Sequence, residues 1–227
     1  MDEGFTVTSH AVRPGRAWMT WFLTGSILAV YVVQLLGVRG GRDVVGSELA
    51  FSPEALAADR YWTLLTYAWA HAIPLPSQPA YLGLHLVSNV FPLFCLGPAL
   101  ERWRGPWVFL ALYVGGALFS ALVWYACGGA GAMIGASGAV FALFTAAGML
   151  GIHLRRVDFV FFTLPLYLNL RLAAWVLCGV ELVQMVIPGL PEVAHVAHLG
   201  GGLFGVLFVL VARAGRGGGD CNQDGLL

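Results

Sequence analysis

The chain contains no lysine. Its twelve basic residues are all arginine, twelve acids match them, and the formal net charge is zero. That leaves no basic excess to neutralise a phosphate backbone, so a nucleic-acid partner is not expected. Charge of either sign is scarce. Asp, Glu, Lys and Arg make up 11% of the residues, where a soluble domain carries about 25%. With 227 residues, 59% of them hydrophobic, that deficit points to an integral membrane protein rather than a large soluble core. The four cysteines, Cys95, Cys127, Cys178 and Cys221, fall in separate segments without Cys-x-x-Cys spacing. No zinc site, other metal site or disulfide framework is expected from them, and no cofactor is called for. Repeats, low-complexity runs and a soluble domain are lacking too.

Long apolar runs are what the chain does have. A membrane-spanning helix needs about 20 mostly apolar residues. Six segments qualify: Trp18–Leu36, Leu82–Leu100, Trp107–Cys127, Ile134–Leu150, Leu170–Ile187 and Val193–Val211. The first lacks an evident small-residue cleavage site and reads as a retained helix. Phe159–Leu168 is short and holds Pro165, so it reads as an interfacial or buried connector. Arginine placement sets orientation. With six spans, Arg13, Arg16, Arg102, Arg104, Arg155, Arg156, Arg213 and Arg216 share one side, and Arg39, Arg42 and Arg60 the other. The expected fold is an all-α membrane bundle of six transmembrane helices with both termini cytoplasmic. Residues 1–17 form a cytoplasmic segment, 18–212 the helical domain, and 213–227 a Gly-rich disordered tail. The external connection 38–81 carries Trp62, Tyr67, Trp69 and a proline-rich stretch, and its apolar content predicts partial insertion against the bilayer. The Ala- and Gly-rich, lysine-free composition suits a GC-rich genome. The expected location is a bacterial inner or plasma membrane, crossed several times.

Polar residues inside such runs are costly, because lipid offers no hydrogen bonds to replace water. Three groups of them stand out: Gly135-Ala136-Ser137-Gly138, His85 with Asn89, and Ala197-His198 followed by Gly201 and Gly205. The second, fourth and sixth spans all start on the outer side. His85, Ser137 and His198 each lie a few residues into one of them, so all three fall within roughly 10 Å of that surface at 1.5 Å per residue. The residue types suit acyl transfer. A serine hydroxyl is a weak nucleophile until a base takes its proton, and histidine is the usual base. His85 and Asn89 are four residues apart, share a helix face and both donate hydrogen bonds. Ser137 opens a helix, where backbone N–H groups are free, so its amide is a further donor. Gly138, Ala142 and Ala146 form a small-residue stripe, and Gly201 and Gly205 continue the His198 face, which permits close helix contact. Phe141, one turn below Ser137, is placed to pack on the His198 ring. His71, His153 and His195 read as hydrogen-bonded structural residues. Glu181 and Gln184 in the fifth span read as structural hydrogen bonding or as a role in gating or water handling.

These residues are where a family resemblance enters. Over about residues 18–212 the chain resembles the rhomboid intramembrane serine proteases. His85–Asn89 matches the family's His-x-x-x-Asn, Gly135–Gly138 its Gly-x-Ser-Gly, and Ala197–Gly205 its Ala-His-x-x-Gly-x-x-x-Gly. The resemblance implies a six-helix core and a Ser–His dyad without an aspartate. It makes Ser137 the nucleophile, His198 the base, and His85, Asn89 and the Ser137 amide the oxyanion donors. Gly135, Gly138, Phe141, Gly201 and Gly205 support them. It implies single-span membrane proteins as substrates, cut within the lipid bilayer through an acyl-enzyme. Glu101-Arg102 resembles the family's acidic-basic pair after the second helix, a structural tie. The chain departs from the pattern where the first loop has Trp62-Thr63 in place of Trp-Arg, and in a longer stretch between His71 and His85. His195 is a second candidate base, and the glycines at +3 and +7 favour His198. Three rival readings remain. An inactive rhomboid-like protein that binds membrane clients would lack the serine or the histidine. A transporter calls for paired intramembrane charges or repeated halves. A soluble esterase needs Gly-x-Ser-x-Gly, and residue 139 is Ala.

Overall fold

Apolar runs fold as helices in lipid because their backbone groups have no partners but each other. The computed structural model describes residues 17–39, 41–74, 83–154, 157–158, 163–164, 168–186 and 195–214. In chain order it has α1 (Trp18–Leu36), the hairpin β1 (Val38–Arg39) and β2 (Arg42–Asp43), then the short helices α2 (Val44–Leu49), α3 (Pro53–Ala57) and α4 (Thr63–Thr66). The long helices α5 (Leu84–Arg104) and α6 (Pro106–Ala126) follow, then α7 (Ser137–Met149). Four two-residue strands come next: β3 (His153–Leu154), β4 (Val157–Asp158), β5 (Thr163–Leu164) and β6 (Leu168–Asn169). The helices α8 (Leu170–Val186) and α9 (His195–Ala214) close the described chain.

The chain is therefore mostly helical, with two-residue strands in its connections. The strands pair antiparallel as β1–β2, β3–β6 and β4–β5, because connections between helices must also satisfy their backbone groups. The expected connector Phe159–Leu168 contributes Thr163, Leu164 and Leu168 to these pairs; its other residues lie outside the described ones. So do residues 1–16 and the tail 215–227, on which the expected cytoplasmic segment and disordered tail fall. Arg213 and Ala214 extend α9.

Among the described residues, four helices are long and apolar enough to cross a membrane: α1, α5, α6 and α9. The other two expected spans are shorter. Helix α7 has 13 residues, about 20 Å against a hydrocarbon core of about 30 Å. Residues 134–136, expected within it, are not helical. Irregular backbone at such depth survives only when protein covers it. Here Phe51 and Met133 exchange both backbone hydrogen bonds, and Gly135 N–H donates to Tyr67 O at 2.9 Å. The segment 38–74 thus packs on protein: Phe51, Tyr67, Ala68 and Ala70 are buried, and the Tyr67 hydroxyl donates to Ala117 O on α6 at 2.8 Å. Thr63, standing where the family has arginine, is buried and donates to Arg60 O at 2.6 Å.

Large apolar side chains such as Phe22, Leu122, Val183 and Val211 face outward, while α7 buries mostly small residues. Residues 138–140, 142–143 and 145–148 of α7 are all buried, and it packs between α6 and α9. That inversion fits a lipid solvent, where close backbone packing replaces a hydrophobic drive between helices. One end of the bundle gathers the start of α1 and the ends of α5, α7 and α9. Glu101 of α5 accepts from Met19 N–H, Thr20 N–H and the Thr20 hydroxyl at 2.8–3.0 Å, capping α1. Arg104 donates to Ala212 O at 2.8 Å, and Arg213 to Met149 O at 2.7 Å. At the opposite end lie the starts of α5, α7 and α9, with their polar residues.

Candidate active site

Ser137 is the first residue of α7, and its helix has no side-chain cap. That leaves leading backbone amides available as donors. Its hydroxyl lies 2.7 Å from His198 Nε2, in the first turn of α9. Glycine permits the approach. A side chain at Gly201 would overlap the Gly138 carbonyl, and one turn on, Gly205 abuts Ala142 O and Thr145. Polar bonds clamp the same interface: Ser120 of α6 donates to Ala197 O at 2.6 Å, and Thr145 to Gly202 O at 2.8 Å. Phe141 stacks on the His198 ring, with centroids 4.8 Å apart and planes 7° from parallel. A hydroxyl against an imidazole in this way is able to pass its proton to the ring.

His85 and Asn89 meet Gly135, two residues before the serine. Gly135 has φ +109°, and a Cβ there would lie 2.7 Å from His85 Nε2 and 3.8 Å from Asn89 Nδ2. The Ala72 N–H donates to His85 Nδ1 at 3.1 Å. That bond places the ring proton on Nε2, the nitrogen beside Gly135. Asn89 is 2% exposed and donates one amide hydrogen to His85 O at 2.7 Å, while its Oδ1 is buried without a partner among the described residues. His71 lies nearby, its ring tilted 50° to that of His85 with centroids 5.3 Å apart, and Gln34 of α1 holds it through both of its backbone polar groups. Burial, with nearby His85 adding to it, holds the His71 imidazole down at about 4.

His195 does not reach the serine; its Nδ1 lies 2.5 Å from Glu181 Oε2. The other Glu181 oxygen is 2.9 Å from His198 Nδ1, close but not aligned as a hydrogen bond. The implied dyad without an acid thus has a carboxylate beside it, supplied by α8. One signal of this was in the sequence: Glu181 is the single acid of its apolar segment, and His195 and His198, three apart, share a face. Ser120 left no such mark. Glu181, His195 and His198 also present ligand atoms within 4.8 Å of one another, a donor set of a kind that takes zinc. The nitrogen–oxygen spacings of 2.5 and 2.9 Å are those of direct contact between the side chains.

Residues 58–215 match the rhomboid domain family. The chain is 33% identical over 159 residues to "RHOMBOID-like protein 5" of Arabidopsis thaliana, covering 67% of this chain and 45% of that protein. It is 29% identical over 162 residues to "Presenilin-associated rhomboid-like protein A, mitochondrial" of Danio rerio, covering 66% of this chain and 40% of that one. The matched regions span less than half the length of either relative.

Proposed function

The chain belongs to the rhomboid family, a multi-pass helical membrane fold, and we propose that it is an intramembrane serine endopeptidase. The observation that carries this reading is the 2.7 Å contact between Ser137 Oγ and His198 Nε2 at the start of a buried helix. In the proposed reaction Ser137 attacks the scissile carbonyl of a substrate helix as His198 takes its proton. The tetrahedral oxyanion accepts hydrogen bonds from His85 Nε2–H, Asn89 Nδ2–H and the Ser137 amide. Collapse expels the amine, protonated by His198, and leaves an acyl-enzyme that water hydrolyses. The Ala72 bond to His85 Nδ1 supports the donor assignment, because it leaves the proton on Nε2.

The chain crosses the membrane six times in this reading, α7 and α8 included, with both termini cytoplasmic, in a bacterial inner or plasma membrane. Its substrates are single-span membrane proteins. They are cut beside a small residue near the outer boundary, where Gly or Pro just inside the helix eases unwinding. The test is to purify the chain, treat it with a fluorophosphonate, and offer it a panel of single-span proteins beside a Ser137→Ala variant. Labelling at Ser137 together with serine-dependent cleavage is expected. A folded protein that neither labels nor cleaves would favour the inactive, client-binding reading instead.

A further inference from the structure

The buried acid of α8 has no part in the reaction as proposed so far. Glu181 is 8% exposed in an apolar helix, where a lone carboxylate is costly. Both of its oxygens meet imidazoles of α9, His195 Nδ1 at 2.5 Å and His198 Nδ1 at 2.9 Å. The far nitrogen of His198 meets Ser137 at 2.7 Å. Four side chains from three helices are thus joined through successive close contacts. We propose that Glu181 is a positioning residue for His198, and that His195 clamps the carboxylate in place. The inference rests on the serine-protease reading and deepens it.

The argument starts from the tautomer. For His198 Nε2 to take a proton it must present a lone pair, so the ring proton must sit on Nδ1. An ionised carboxylate only accepts hydrogen bonds, so one placed beside Nδ1 favours that tautomer. As Ser137 Oγ bonds to the carbonyl carbon, the C=O electron pair moves to oxygen and the hydroxyl proton passes to Nε2. The imidazolium so formed faces Glu181, which offsets its charge and stays ionised. The Nε2 proton then moves to the leaving nitrogen as the C–N bond breaks. Glu181 touches no reacting atom; it acts through the ring. A carboxylate on a flexible side chain would need a second hold, and His195, three residues before His198, supplies it on the other oxygen. Among the described residues, the charged or titratable neighbours of His198 are then Glu181 of α8, His195 of its own helix and His85 of α5. Glu181 is the one anion among them.

The test compares wild type, Ser137→Ala, Glu181→Gln and Glu181→Asp as full-length chains, by fluorophosphonate labelling rate, kcat, KM and Tm. In a Ser-His-Asp triad, turning the orienting acid into an amide costs about ten-thousandfold through the wrong tautomer. The Glu181 contact lies off the hydrogen-bond line, so a smaller loss, roughly ten- to hundredfold, is expected for Glu181→Gln. The loss should fall on kcat and labelling rate, with KM and Tm near wild type. Glu181→Asp, which keeps the charge on a shorter stem, should recover part of it. Nitrogen-15 shifts of wild type should place the His198 proton on Nδ1, a readout that needs no variant to fold. A Glu181→Gln chain as reactive as wild type, a loss confined to KM or Tm, or a proton found on Nε2 would overturn the inference alone. A wild type that does not label at Ser137 would overturn the protease reading with it.

Discussion

Two buried glutamates mark two regions of this molecule. Glu101 is 3% exposed and Glu181 8%. Each is satisfied by groups from another helix, yet the partners differ in kind. Glu101 meets two backbone amides and a hydroxyl, donors that keep their protons at any ordinary pH. It neutralises the positive start of α1 and ties that helix to α5. Glu181 meets the Nδ1 atoms of two imidazoles, one of them on the ring that touches Ser137. The same residue type at similar burial is a fastener in one region and a neighbour of the candidate base in the other. Changes around Glu101 should therefore act on stability with the rate spared, and changes around Ser137 should do the reverse.

The largest expected effect tests the second half of that contrast. Ser137→Ala or His198→Ala should lower cleavage at least ~10⁴-fold, since members of a nucleophile–base unit fail together. Ser137→Ala deletes one oxygen from an interface already clamped by Ser120 and Thr145, so Tm should stay within a few degrees of wild type. An inactive variant whose melting collapsed would blur the two regions into one.

Next in size is the oxyanion side. Asn89→Ala should cost about a hundredfold, or roughly 3 kcal/mol, in kcat with KM little changed, because the oxyanion exists only on the way through the reaction. A loss seen only in KM would move Asn89 into the structural region, where its bond to His85 O would be its whole role.

Glu101→Ala addresses the first half of the contrast. It leaves two buried amides at the start of α1 without their acceptor. A loss of about 2–3 kcal/mol in stability is expected, with kcat within about threefold of wild type. If the rate fell as far as the stability, the α1–α5 tie would be part of the catalytic geometry, and the division would not stand.

The sequence announces the serine end of this contrast better than the acid end. The contact of Ser137 with His198 is legible because each sits at the start of an apolar run beside glycines, and few other arrangements satisfy both. Glu101 is legible through its position beside Arg102 at a helix end. Glu181 is less so: helical spacing says which residues share a face, but not which neighbour that face meets, and that depends on how α8 is rotated against α9. The short helices of 38–74 leave faint marks, such as Ser52 before Pro53, whose hydroxyl accepts from Ala55 N–H at 3.0 Å. The non-helical residues 134–136 are hidden altogether. They depend on Tyr67, far off in sequence, whose carbonyl accepts from Gly135 N–H, and on the Phe51–Met133 pair just before them.

His71 gives the smallest effect and the finest test, because it lies between the regions: Gln34 of α1 holds its backbone and its ring lies against that of His85. Burial holds that ring down at about 4, below the unfolded value of about 6.5. A group lowered on folding binds its proton more readily in the unfolded chain. Its contribution is therefore fully present above about pH 6.5 and is lost as pH falls from there toward 4. Between pH 7.5 and 5.5 the loss should be about 1 kcal/mol, a few degrees in Tm. His71→Phe keeps a ring in the same space and cannot titrate, so its melting should be flatter over that interval by the same amount. If His71 belongs to the scaffold, the kcat profiles of the two proteins should superimpose across this range while their melting curves diverge. If the kcat profile moved with the variant, the ring beside His85 would be tuning the oxyanion side, and His71 would count with the site.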